Sequence, residues 1–322
     1  MQQMIQTQTQ APAVQAVTLV LYDRFVAYID ATENTVDTYK RQLRQFFYWI
    51  QKEGITQPQR DDVIRYRDEL RQQHKPATVQ GYIIAVRQFF RWTAQEGLYP
   101  DIAANIKGAK ISRAHKKDPL TVRQAREILE QQRQREDLAG LRDYAILAAA
   151  LTCGLRTIEI QRANAEDLRP LGDMTVLYIQ GKGREERAEY VLITEPVEKA
   201  IRAYLKRRGR LKKGDPLFAS VSNRNPGGRM TTRSISRIVK QAFIEAGYDS
   251  DRLTAHSLRH TAGTLNLLQG GTLQETQQLL RHTNVNTTLI YAHNLERINS
   301  KSEERISGAL FDEDEPQKGE TE

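Results

Sequence analysis

The most constraining feature of the chain is a twenty-residue pattern that occurs twice. Thr35 to Gly54 and Thr78 to Gly97, 43 positions apart, share ten identities in twenty: Thr-Val, the Tyr, Arg-Gln-Phe-Phe, the Trp and Glu-Gly. In the first copy Val36, Tyr39, Leu43, Phe46, Phe47 and Ile50 recur at spacings of three and four, which places them on one face of a helix. Thr35 stands where an N-cap is expected and Gly54 where the helix stops. Two helices with aromatic faces need a common core, and a shorter helix from about Asp61 to Gln73, with Val63, Ile64, Tyr66 and Leu70, completes a small bundle. The likeness of the copies follows either from similar packing demands within one bundle or from an internal duplication. Their opposite faces carry Lys40, Arg41, Arg44, Arg87 and Arg91, a set suited to phosphates but equally compatible with a solvated surface.

Length and charge narrow the class. At ~150 residues per domain, 322 residues suggest two domains. Lys and Arg number 48 against 40 Asp and Glu, a formal charge of +8 that points to a polyanionic partner. The last eleven residues hold six acids and one Lys, which leaves +13 on residues 1–311. A single Cys, Cys153, excludes an internal disulfide framework and a Cys-based structural zinc site, and a reducing cytoplasm is expected. The longest largely apolar run, Tyr144 to Gly154, falls short of the ~20 residues of a membrane span, and the N-terminus lacks the order of a signal peptide. No membrane partner is expected.

Residues 1–16, with six Gln, read as a flexible leader, and residues 17–106 as the helical domain. Residues 107–119 lose periodicity and hold Lys107, Lys110, Arg113, His115, Lys116 and Lys117, a basic linker of which Lys110, Lys116 and Lys117 are DNA-contact candidates. A second domain, 120–295, opens with Thr121 capping a helix to about Arg133, followed by a helix from Leu141 to Cys153. Met174–Ile179 and Glu189–Ile193 read as two strands of a hairpin with Gly181-Lys182-Gly183 at its tip. Further helices are expected at Glu195–Arg208, Thr232–Ala246, Ser257–Gln269, Thr272–Leu280, Asn286–His293 and Glu296–Ser307. The expected fold class is therefore mainly α with one small sheet. A terminal helical segment, 296–311, and an acidic tail, 312–322, complete the chain.

Taken singly, Arg156, Lys182 and Tyr291 have bland readings as a helix surface residue, a loop lysine and a core tyrosine. Their order and spacing change this. Arg156 follows Gly-Leu and precedes Glu159 by three positions; Lys182 sits in a hairpin; His256-Ser-Leu-Arg259 opens a helix; His282 follows Arg259 by 23 residues, and Tyr291 follows His282 by nine. This pattern resembles the tyrosine recombinase, or phage integrase, family, and the resemblance covers both halves of the chain. It implies a SAM-like helical core-binding domain joined to the catalytic domain of the DNA breaking-rejoining fold, together forming a C-shaped clamp on DNA. The layout is closest to the two-domain Xer-like or Cre-like enzymes. One departure stands out: where the family has Leu-Gly-His, this chain has Leu280-Arg281-His282, which puts the tight turn there in question.

The chemistry that the resemblance implies explains the residue types. Attack by a phenolic oxygen builds a five-coordinate phosphorus, and two guanidiniums can hold its non-bridging oxygens through forked hydrogen bonds, the role of Arg156 and Arg259. Tyr291, with a reference pKa of ~10, needs a proton acceptor, for which His256 is placed. Lys182 would protonate the leaving 5′ oxygen, His282 would donate to the phosphate, and Glu159 would orient Arg156 or His256. Neither a cofactor nor a metal is implied. His256 and His260 stand at i and i+4, but the chain lacks His-Glu-x-x-His and sets Arg259 beside the pair, against a zinc site.

The expected activity is site-specific recombination of double-stranded DNA through a 3′-phosphotyrosyl intermediate, by a homotetramer whose 296–311 segment docks on a neighbour, with accessory DNA-bending proteins as optional partners. Two alternatives remain at this level: a monomeric type IB topoisomerase-like enzyme, and a DNA-binding protein without catalysis.

Overall fold

The duplicated pattern folds as two long helices that face each other. In the computed structural model, which describes residues 19–110, 117–181, 186–282, 284, 288–289 and 302–311, they are α2 (Glu33–Lys52) and α4 (Pro76–Gln95). They follow α1 (Leu19–Tyr28) and are separated by α3 (Arg60–Gln73). The chain divides into two compact units between residues 114 and 115.

In the first unit the copied Phe-Phe pairs cross. Phe46 meets Phe90 at 5.9 Å between ring centroids and Phe47 meets Phe89 at 5.4 Å, both near edge-to-face. Exchanging the two helices maps one pair onto the other, so the core has a local two-fold. The helix ends repeat as well: Glu53 and Glu96 share φ −80 and ψ −1 as C-caps, and Gly54 and Gly97 follow at φ +67 and +66, a left-handed conformation that favours glycine. Each edge-to-face pair adds ~0.5–1.5 kcal/mol beyond burial.

Two local features differ from the sequence reading. The N-cap of α2 is Thr32, not Thr35, so the helix begins earlier than expected; α4 likewise begins at Pro76, whose fixed φ and missing N–H suit a first turn. Helix α1 was not foreseen, and it docks through Leu21 and Phe25, each 3 % exposed, with Phe25 edge-on to Phe89.

The second unit is built around α6 (Leu138–Cys153), which packs against α5 (Val122–Arg133), α8 (Glu195–Arg208), α9 (Thr232–Glu245), α10 (Ala255–Leu268) and the sheet. A helix buried on nearly every side needs apolar residues all round, and Ala145 to Leu151 are all buried. It starts three residues before the expected Leu141 because the Asp137 carboxylate accepts from Gly140 N–H at the N-cap. Thr121 caps α5 as expected, in a reciprocal capping box with Gln124. The sheet has three antiparallel strands in the order β1 (Leu168–Leu171), β2 (Met174–Ile179), β3 (Glu189–Ile193), with Leu168 opposite Leu177 and Val176 opposite Leu192. The two expected strands lie where the sequence placed them, while β1 is an addition: Pro170 argues against a strand, yet an edge strand tolerates it. Helices α7 (Thr157–Arg162) and α11 (Leu273–Leu280) complete the part that frames the site, and a C-terminal helix spans Ser302–Phe311. Of the expected segment Asn286–His293, only positions 288–289, both helical, fall within the described residues. The leader and the acidic tail lie outside them.

Candidate active site

Two helix C-termini converge on the site. Helix α6 ends at Gly154, whose φ of +57 turns the chain so that Arg156 becomes the N-cap of α7. Helix α11 ends at Arg281, also left-handed at φ +51. Leu280 joins them: a Cβ on Gly154 or on Gly263 of α10 would come within 2.7 Å of a Leu280 methyl, so both glycines make room for this fully buried side chain. The last carbonyls of a helix have no intrahelical donor and carry the negative end of its dipole, which makes this junction a receptor for cations.

Arginines fill it. Arg259, 1 % exposed, donates from Nη1 to the Gly154 carbonyl at 2.5 Å and from Nη2 to the Leu280 carbonyl. Arg156 donates from Nη1 to Glu159 Oε1 at 2.8 Å and from Nη2 to the Arg281 carbonyl at 3.2 Å. The Arg156 N–H donates to Glu159 Oε2 at 2.8 Å, so this carboxylate both caps α7 and fixes the guanidinium. Arg281, expected only to trouble the turn, keeps the turn and folds its side chain inward to Glu159 Oε2 at 2.9 Å. Burial pushes the Glu159 carboxyl up, but Arg281 and Arg156 outweigh this and hold it below the usual range.

His282 follows directly. Its Nδ1 lies 2.9 Å from Thr288 Oγ1, and its carbonyl accepts from Gln277 Nε2 at 3.1 Å. Desolvation, reinforced by Arg259, Arg156, His256 and Arg281, pushes its pKa down to about 4, so the ring is neutral at neutral pH. His256, on the first turn of α10, is exposed and lies edge-on to His260 at 4.7 Å between ring centroids. Among the described residues no group of three or more His, Cys, Asp or Glu side chains is placed to hold a metal, and no helix is long and apolar enough to cross a membrane.

The structure thus brings together Arg156, Glu159, Arg259 and His282. Lys182 and Tyr291 lie outside the described residues. The base of the Lys182 hairpin is nonetheless tied to the site: Arg162, at the end of α7, donates to the Gly181 carbonyl at 2.9 Å and accepts at its own carbonyl from Arg187 at 3.2 Å. In the first unit Arg41, Arg44 and Arg91 are exposed, whereas Lys40 and Arg87 are partly covered. Lys110 is exposed, Lys117 donates to the Asp251 carbonyl at 2.7 Å, and Lys116 lies outside the described residues. Sequence reasoning missed Thr288, Gly263 and the inward role of Arg281; only Arg281 carried a signal, as a bulky residue at a glycine position.

Comparison with known proteins agrees with this geometry. Residues 119–297, more than half of the chain, match the phage integrase family, and residues 22–97 match the phage integrase N-terminal SAM-like domain. The chain belongs to the phage integrase family. Among curated relatives, tyrosine recombinase XerC of Caldanaerobacter subterraneus subsp. tengcongensis is 37 % identical over 153 residues, covering 47 % of this chain and 41 % of that protein. The XerC of Corynebacterium glutamicum is 36 % identical over 197 residues, 61 % of this chain and 60 % of the relative, and that of Chlamydia trachomatis serovar L2 is 31 % identical over 227 residues, 70 % of each. The first two matches therefore span about half the length of those relatives. In fold the chain is similar to the XerH site-specific recombinase bound to its palindromic difH substrate, with a TM-score of 0.70 at 22 % identity over 88 % of this chain and 82 % of that one. A lambda integrase dimer bound to a core site gives 0.65 at 15 % identity over 84 % and 97 %.

Proposed function

We propose that this chain is a site-specific DNA recombinase that cuts and rejoins duplex DNA through a 3′-phosphotyrosyl intermediate. The observation that carries the reading is the convergence of Arg156, Arg259 and neutral His282 on the ends of α6 and α11. Two guanidiniums with fixed forks suit the non-bridging oxygens of one phosphate. The 2.9 Å contact between Nδ1 and the Thr288 hydroxyl fits either tautomer of the neutral His282 ring; in the proposed reaction Nδ1 accepts and the proton on Nε2 donates to a phosphate oxygen. Tyr291 attacks phosphorus as its phenolic proton passes to His256; the tyrosyl–phosphorus bond forms, the bond to the 5′ oxygen breaks, and Lys182 protonates that oxygen. Attack of the 5′ hydroxyl on the phosphotyrosine reverses each transfer, so no external energy source is required. Glu159 keeps Arg156 aimed.

In this reading residues 17–106 hold DNA from one side through Lys40, Arg41, Arg44, Arg87 and Arg91, the 107–119 linker adds Lys110, Lys116 and Lys117, and residues 120–295 carry the chemistry. Lys117 is the weakest member of that set, since its ammonium already binds a main-chain carbonyl. The 3′-phosphotyrosyl step is tested at its leaving group. Lys182→Ala slows cleavage by roughly 10²-fold or more, the scale of a positioned proton transfer, and a bridging 5′-phosphorothiolate, whose sulfur leaves without a proton, restores most of the loss. Equal defects on both substrates would make Lys182 a phosphate ligand instead.

Assembly is proposed to run through the C-terminal segment, with Ile298, Ile306, Leu310 and Phe311 docking on a neighbouring copy in a tetramer. In its support, Ile306, Leu310 and Phe311 are 59 %, 68 % and 77 % exposed, more apolar surface than a finished helix leaves in water. Truncation after Asn294 abolishes pairing of two sites in gel-shift stoichiometry and leaves half-site binding and the melting temperature near those of the full chain. A truncated protein that melts early and binds poorly would mean that the helix packs on its own subunit.

A further inference from the structure

Arg281 occupies a position that conformation reserves for glycine. Among the described residues only Asn105 and Arg281 combine a side chain with a positive φ, and Asn tolerates that region far better than a long, branched side chain. Substitution by glycine would relieve the backbone at once, so the retained guanidinium needs a reason in its contacts.

Those contacts are all inside. Nη1 donates to the Cys153 carbonyl at 3.2 Å and the Leu279 carbonyl at 2.5 Å; Nη2 donates to the Gly154 carbonyl at 3.0 Å and Glu159 Oε2 at 2.9 Å. The side chain is 7 % exposed, and its Nε is buried without a hydrogen-bond partner, so the group accepts an unmet donor in order to hold the others. It therefore shares the Gly154 carbonyl with Arg259 and the Glu159 carboxylate with Arg156. Its own carbonyl takes the second fork of Arg156.

The charge count follows from this sharing. With glycine at 281, the buried Glu159 would face Arg156 alone, and Arg156, Arg259 and Glu159 together would sum to a formal +1. With Arg281, two guanidiniums face that carboxylate and Arg259 stands beside them on the Gly154 carbonyl, so the three arginines and Glu159 sum to a formal +2. We propose that Arg281 is a positioning residue for strand cleavage: through Glu159 and Gly154 it fixes the aim of Arg156 and Arg259 and preserves their combined positive charge. The inference rests on the reading of this site as a phosphodiester clamp.

The test uses the full chain on a nicked suicide duplex, comparing wild type, Arg281→Gly and Arg281→Lys in single-turnover cleavage, half-site binding and thermal melting. Arg281→Gly cleaves roughly 10- to 100-fold more slowly, a misaimed-clamp penalty, while half-site binding stays within about twofold. Arg281→Lys, which returns the charge without the fork, recovers part of the rate. A duplex with an uncharged methylphosphonate at the scissile position separates electrostatic positioning from general loosening: the Arg281→Gly penalty shrinks there, because less negative charge develops for the clamp to meet. An unimpaired Arg281→Gly, a parallel fall in cleavage, binding and melting temperature, or an equal penalty on both substrates would overturn the inference while leaving the functional reading intact. A wild type that forms no covalent adduct on any bound duplex would overturn both.

Discussion

Tyr291→Phe forms no covalent adduct with a nicked suicide duplex, while its half-site affinity stays within about twofold of the wild type. The change removes one oxygen, and that oxygen is the only atom of the side chain that can bond to phosphorus. Nothing else in the proposed site replaces it, since Arg156 and Arg259 are not nucleophiles and His282 is engaged with Thr288 at 2.9 Å. The expected loss is therefore complete, beyond the fractional losses expected when a supporting group is removed. Covalent capture read on a denaturing gel, beside a native gel-shift, separates chemistry from binding. If adduct persists, the nucleophile is another tyrosine. Tyr204 is fully buried and its hydroxyl accepts from Ala219 N–H at 3.0 Å, so Tyr190, 47 % exposed on β3, would be the next to test.

Arg259 substitutions give the second largest effect, and two variants are needed to read it. Arg259→Ala removes a buried cation and leaves the Leu280 carbonyl without its donor and the Gly154 carbonyl with Arg281 alone, which is expected to cost ~1–3 kcal/mol of stability in addition to activity. Its inactivity alone would therefore be ambiguous. Arg259→Lys retains the charge but replaces a planar fork by a single ammonium, which cannot reach both carbonyls and a phosphate oxygen together. Cleavage by Arg259→Lys falls about 10²- to 10³-fold, the usual scale for removing one donor to a developing oxyanion, with the melting transition preserved. A Lys variant that cleaves at near wild-type rate would show that Arg259 serves the fold and that the phosphate is held elsewhere.

How far the sequence could be read differs by feature. The bundle of the first unit was legible because its signal is periodic and repeated, and the aromatic positions that recur at three and four are the ones that cross in the core. The β2–β3 hairpin was legible through its β-branched and aromatic strands and its glycine-bounded tip. Helix α1 was not, because Leu21, Tyr22 and Phe25, which pack on the core, fall within a helix of ten residues, too short a stretch to set a period apart from its apolar flanks. Strand β1 was hidden by Pro170, which costs an edge strand nothing. The start of α2 was misplaced because Thr32 and Thr35 are equally good caps in composition, and the helix begins after the extended Thr32.

At the site the residue types and their order pointed to Arg156, Glu159, Arg259 and His282, and the fold gathers these four. What no local pattern could supply is how they are held. The contact between Arg281 and Glu159 joins residues 122 positions apart, and the seat of Leu280 between Gly154 and Gly263 depends on three helices meeting. Sequence reading saw a bulky residue where a turn prefers glycine and inferred trouble for the backbone. The backbone keeps the turn because the side chain meets four oxygen acceptors in the interior.

The most direct test of the account is the chemical identity of the covalent intermediate. The wild-type protein, trapped on a nicked duplex containing its bound site in the presence of a metal chelator, is digested with protease and nuclease, and the cross-linked peptide is sequenced by mass spectrometry. The account predicts a peptide bearing a nucleotide 3′-phosphate on Tyr291 and a free 5′ hydroxyl on the released strand. A linkage through the 5′ phosphate, an adduct on a different side chain, or cleavage that stops when metal is removed would contradict it.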